Sequence, residues 1–117
     1  MSSLHKDFTV TEDCKIWSVR PRALGETCDA INFKDRRFAD HATQVIAHWM
    51  ARHPEALLEG DFEIFCDPSY YDMWCLRPKG SRDFNATVHF GTEVEAKRAS
   101  EALVTWMADL AAEGEPQ

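Results

Sequence analysis

The sequence contains no C-x-x-C pair, no glycine-rich phosphate loop, no H-E-x-x-H and no G-x-S-x-G. Those absences leave zinc ribbons, thioredoxin-type redox pairs, P-loop nucleotide binding, zinc hydrolysis and α/β-hydrolase chemistry without their signatures. No apolar run approaches the roughly 20 residues a membrane helix needs, so no membrane association is expected. Residues 1–7 lack the apolar stretch of a secretory signal, and the expected location is cytoplasmic. Basic residues number only 13 against 20 acidic ones and form no tract. Direct binding to nucleic-acid phosphates is therefore not expected.

What is present is a 117-residue chain, 44% hydrophobic and 28% charged, with a formal net charge of −7. That composition predicts one globular domain over 1–117, able to bury a core without disulfides or a structural metal. Cys14, Cys28, Cys66 and Cys75 read as reduced thiols in the absence of an export signal. Cys66 and Cys75 flank a predicted turn and could face each other across a hairpin, so a disulfide there stays open beside ordinary packing. No metal and no cofactor is expected. Asn85-Ala86-Thr87 matches the glycosylation sequon but reads as chance without a secretory route.

The strongest signal is internal. At an offset of 57 residues Trp17, Arg20 and Pro21 fall on Trp74, Arg77 and Pro78, and Phe33 falls on Phe90. Ala39, Ala42, Trp49, Met50 and Ala51 fall on Ala96, Ala99, Trp106, Met107 and Ala108 without a gap. Nine identities thus occur in the 37 positions 15–51, where average composition gives about two. Upstream, residues 7–10 resemble 61–64 if the second copy carries three extra residues. The chain reads as a duplication, with copies at about 7–53 and 61–112.

Each copy predicts three strands and a helix. Residues 8–11 alternate and precede a turn at Glu12 and Asp13. Residues 14–19 then place Trp17 and Val19 on one strand face and Ile16 and Ser18 on the other. Pro21 ends that strand for want of an N–H, and 28–33 is a third strand. Asp35 caps a helix to about His53 with the stripe Phe38, Ala42, Val45, Ile46, Trp49 and Met50. Pro54 stops it, and 54–60 is a linker with one turn around Leu57 and Leu58. In the second copy 62–66 and 73–77 are strands around a turn at 67–71, and 84–90 is the third. Thr92 and Glu95 form a capping box for a helix to about Ala112.

The expected fold is α+β: tandem βββα units forming one antiparallel sheet, with two amphipathic helices on one face about a pseudo-twofold axis. The tryptophan pairs 17/74 and 49/106 are expected to pack as core.

Candidate chemistry is sparse. His41 and His48 lie about two turns apart on one helix, too far to share an ion. Cys75 and His89 stand on neighbouring strands and could meet as a nucleophile and base, but an ordinary buried cysteine is the expectation, and no catalytic residue is assigned. Arg20 and Arg77, each before a proline at a strand end, could bind an anion or a carboxylate, or else secure their own loops.

Charge is lopsided. Residues 1–58 hold eight basic and eight acidic residues, whereas 59–117 hold five and twelve. The acidic positions include Asp61, Glu63, Asp67, Asp72 and Asp83. Within that half, Tyr70 and Tyr71 sit between Asp67 and Asp72 in a turn, a setting typical of an interface anchor. The expected partner surface is therefore Glu63, Asp67, Tyr70, Tyr71, Asp72 and Asp83.

The functional expectation is a non-enzymatic protein-binding protein, an acidic inhibitor or regulator of a basic, nucleic-acid-handling partner, acting as monomer or homodimer. Immunity proteins, antitoxins and phage inhibitors of the anti-CRISPR kind are settings that suit its size and charge. The alternative is a small-molecule-sensing accessory domain using the groove between the two helices; read across the copies, its topology resembles that of duplicated effector-binding domains.

Overall fold

The computed structural model describes residues 8–81 and 87–114. Strand β1 (Phe8–Asp13) pairs antiparallel with β2 (Ile16–Pro21), and Val10 lies opposite Val19. That apolar pairing sets the register, which carries Glu12 and Asp13 into the ladder opposite Trp17 and Ile16. The turn expected at Glu12 and Asp13 therefore falls on Cys14 and Lys15, whose φ angles are 53° and 66°. Two successive left-handed residues match the twist of a tight hairpin, yet neither is the Asn or Gly that would announce one.

A 3-10 segment (Arg22–Thr27) leads to β3 (Ile31–Phe33), shorter than the strand expected over 28–33, and β3 pairs antiparallel with β2. Helix α1 (Arg36–Arg52) starts where expected: the Asp35 carboxylate accepts the Arg37 N–H at 2.8 Å. Pro54 opens a separate short helix α2 (Pro54–Glu59), which buries Leu57 and ends on left-handed Gly60 at φ 77°.

The same order returns. Strand β4 (Phe62–Asp67) pairs with β5 (Met73–Pro78), and β5 with β6 (Val88–Phe90). Residues 84–86 of the expected third strand lie outside the described residues, as does Asp83. Helix α3 (Glu93–Gly114) begins with the Glu95 N–H donating to Thr92 Oγ1 at 3.2 Å. Its Glu93–Lys97 pair, at 3.9 Å, sits on the exposed face.

The chain is thus α+β with antiparallel sheets, but the strands form two sheets of three, β1-β2-β3 and β4-β5-β6, instead of one of six. Among the described residues no ladder joins them. Their third strands are three residues long, and the sheets meet through side chains: Phe33 and Phe90 stack with ring centroids 5.3 Å apart.

Directly opposed residues share a sheet face, so Val10, Val19 and Ile31 line up, as do Leu76 and Val88. These faces and the inner stripes of α1 and α3 form one hydrophobic cluster that includes Ile46, Trp49, Leu103 and Trp106. Trp49 and Trp106 are fully buried, and Trp17 and Trp74 are half-buried against the cluster. Each helix reaches across to the other half: Trp106 Nε1 donates to Asp29 O at 2.7 Å, and His41 Nε2 lies 3.2 Å from Thr87 O. No helix among the described residues is long and apolar enough to cross a membrane.

Replacing Trp106 with Phe keeps an aromatic ring but removes the bond to Asp29 and some buried volume. A loss of about 1–3 kcal/mol is expected, read as a lower urea midpoint with an unchanged slope.

Candidate functional site

The faces turned away from the shared core carry different residues in the two halves. On the first sheet Ser18 lies opposite Asn32, and the Ser18 hydroxyl donates to Asn32 Oδ1 at 2.8 Å. At the same ladder position of the second sheet Cys75 lies opposite His89. A cleft stands over each pair. The first, about 960 Å³, is walled by Asp13, Arg20, Asp29 and, from α3, Arg98 and Glu101. The second, about 760 Å³, is walled by Phe65, Asp67, Tyr70, Tyr71, His89 and, from α1, Arg37, Phe38 and His41, with Cys75 and Thr87 also lining it. Charged and polar residues make up most of the first cleft and rings most of the second.

The tyrosine loop explains part of that difference. Two residues separate β1 from β2, but five (68–72) separate β4 from β5, which accounts for the three extra residues. Asp67 organises the loop. Its carboxylate accepts from the Ser69 N–H at 3.0 Å and the Ser69 hydroxyl at 2.6 Å, and both bonds hold its carboxyl below the usual range. Tyr71 and Asp72 take left-handed φ angles of 56° and 54°, a region that aspartate enters readily but that strains a side chain as bulky as tyrosine.

Tyr70 lies 5.5 Å from Tyr71, edge to face, and 4.7 Å from the His89 ring. His89 is in turn 6.4 Å from both Phe38 and His41. A connected array of rings therefore runs from the exposed loop across β6 to α1. Tyr71 stands out with 89% of its surface exposed, against 37% for Tyr70.

Two ionisable groups at the floor are shifted. Burial pushes the Cys75 thiol up to about 11, with Asp67 adding to the effect. Burial also pulls His89 below its usual 6.5; His41 acts the same way and Asp67 opposes both. The juxtaposition of Cys75 and His89 on paired strands is real, but a thiol held neutral beside a neutral imidazole has no thiolate to attack with at pH 7.

Other expected residues are occupied elsewhere. Arg77 Nε donates to Glu63 Oε2 at 2.8 Å, with its guanidinium 4.8 Å from the Phe65 centroid. Arg20 Nε donates to Cys28 O at 3.2 Å and so ties down the end of the 3-10 segment. The equivalent arginines thus secure their own surroundings and do not converge on one anion. Cys66 and Cys75 are both free thiols. Cys66 pairs with Trp74 and Cys75 with Phe65, so the one-residue stagger puts the two cysteines on opposite faces and removes the disulfide. Neither of the two large clefts lies in a groove between the helices, where the small-molecule alternative had been expected. No group of three metal-ligating side chains gathers among the described residues.

Sequence reasoning singled out the tyrosine loop and set Cys75 beside His89, but it did not join them to Thr87 or to the α1 wall of Arg37, Phe38 and His41. One available signal was the 57-residue offset, which sets Cys75 and His89 against Ser18 and Asn32.

Folded His89 resists protonation, so between pH 6.5 and its lower folded value the unfolded chain binds more protons and stability falls as pH falls. In His89→Gln that loss is expected to flatten between pH 7 and 5 in thermal melts, while the carboxylate-dependent loss below about pH 4 remains. At pH 8 iodoacetamide is expected to alkylate exposed Cys14 and Cys66 first, and Cys75 about a hundredfold more slowly, by mass spectrometry. No protein-family model matches the chain, and no curated protein or solved structure matches it either.

Proposed function

We propose that this chain is a non-enzymatic protein-binding protein, an acidic inhibitor or regulator that docks a basic, nucleic-acid-handling partner through the loop at residues 68–72 and the ring-lined cleft behind it. The observation that carries the reading is Tyr71: a large aromatic side chain, almost fully exposed, on a backbone held in a strained conformation. Exposed tyrosines are favoured interface anchors because they add contact area with little side-chain freedom to lose. The net charge of −7 would speed encounter with a basic surface. Exposed Asp72 beside Tyr71, and exposed Asp61, supply local negative charge.

In this reading the tandem βββα duplication, arranged about a pseudo-twofold axis, supplies a frame with two equivalent clefts. One has stayed polar. The other has gained a longer loop and rings, and with them the binding role.

Affinity capture from the native cell extract tests the proposal. The expected result is a basic, nucleic-acid-handling protein retained at low salt, with an association rate falling about tenfold as ionic strength rises from roughly 50 to 300 mM. Tyr71→Ala is expected to cost about 2 kcal/mol, or ~30-fold in affinity, with the melting temperature unchanged. Capture indifferent to both salt and Tyr71→Ala would overturn it.

A further inference from the structure

We propose that the cleft over the second sheet receives an arginine side chain of the basic partner, its guanidinium laid against the rings of Phe38, His89 and Tyr70 and hydrogen-bonded to the Thr87 hydroxyl. The assignment rests on the partner reading above and names the chemistry that the partner must present.

Thr87 lines the cleft, is only 3% exposed, and its Oγ1 has no hydrogen-bond partner among the described residues. A buried hydroxyl left unpaired is costly, and such groups in folded proteins are ordinarily satisfied. An entering N–H donor would satisfy it. The rings around it decide what kind of donor. Phe38, His89 and Tyr70 form a connected array, and a flat cation gains from both the charge and the stacking on such faces. Guanidinium is planar and carries a fixed fork of donors, whereas an ammonium offers only a point charge.

The charges nearby allow a cation to enter. Burial keeps His89 from protonating at neutral pH. Arg37 on the rim is already paired with Asp35 at 3.1 Å, and Asp67 contributes a carboxylate to the wall. The cleft over the first sheet is an internal control. It occupies the equivalent place, but its Ser18 hydroxyl is already bonded to Asn32 and, among the described residues, no aromatic ring lines it.

The probe is N-acetyl-arginine amide, titrated into the full chain and followed by backbone NMR, with the uncharged isostere N-acetyl-citrulline amide beside it. Saturable shifts are expected at Phe38, His41, Tyr70, Thr87 and His89, with citrulline binding about three- to fivefold more weakly. Thr87→Val removes only the unpaired hydroxyl, so it is expected to keep or raise the melting temperature while weakening the probe several-fold. Tyr70→Leu is a second variant that weakens it by removing one ring of the array while leaving the Thr87 hydroxyl in place. Equal binding of arginine and citrulline, shifts confined to the first cleft, or full binding by Thr87→Val and Tyr70→Leu would each overturn the assignment. If the probe fails while capture of a basic partner still depends on salt and Tyr71, the partner reading stands without the arginine pocket. If the probe binds and no basic partner is captured, the pocket stands and the partner reading fails.

Discussion

Phe33 and Phe90 stack where the two sheets meet, and this contact stands for the constraint on which the molecule depends. A three-stranded sheet with strands of six, six and three residues cannot cover its own apolar face. Each sheet packs under its own helix, and the two halves share a single hydrophobic cluster. The helices complete that sharing by reaching over the seam, so Trp106 of α3 bonds to the chain before β3 and His41 of α1 lies against Thr87 before β6.

That reciprocity builds the clefts as a consequence of the core. Once α1 reaches the second half, its first turns wall the face bearing Cys75 and His89; once α3 reaches the first, Arg98 and Glu101 wall the face bearing Ser18 and Asn32. The lopsided charge of the sequence is thereby redistributed. Arg37 from the neutral half stands at the rim of the tyrosine cleft, and Glu101 from the acidic half stands in the other. The acidic half is therefore not an acidic face. Its exposed carboxylates flank a cleft whose lining is mostly rings, with His89 held neutral by burial.

Much of this was legible along the chain because local rules act over short spans. Asp35 and Thr92 start helices where their side chains can satisfy N–H groups. Proline ends β2 and α1, and the inner stripes of both helices follow the spacing of their apolar residues. The three added residues of the second hairpin were visible as a break in the 57-residue offset. What failed also failed for local reasons. The Cys14–Lys15 turn carries no Gly or Asn, so nothing marked it, and its position was decided by Val10 meeting Val19 across the ladder. The Cys66–Cys75 disulfide looked feasible until the register placed the two on opposite faces.

The sequence by itself determined the elements, their order, the apolar stripes and the exposed tyrosine loop, since each follows from spacing, capping and turn chemistry within a few residues. Only the tertiary structure decided that the strands divide into two sheets, that Arg20 and Arg77 are engaged within their own halves, and that Phe38, His41, Thr87 and His89 meet Tyr70 around one cleft. These residues are separated by up to 51 positions in the chain, and no local rule joins them. They come together because two small sheets share one core, with each helix packing on its own sheet and reaching over to the other.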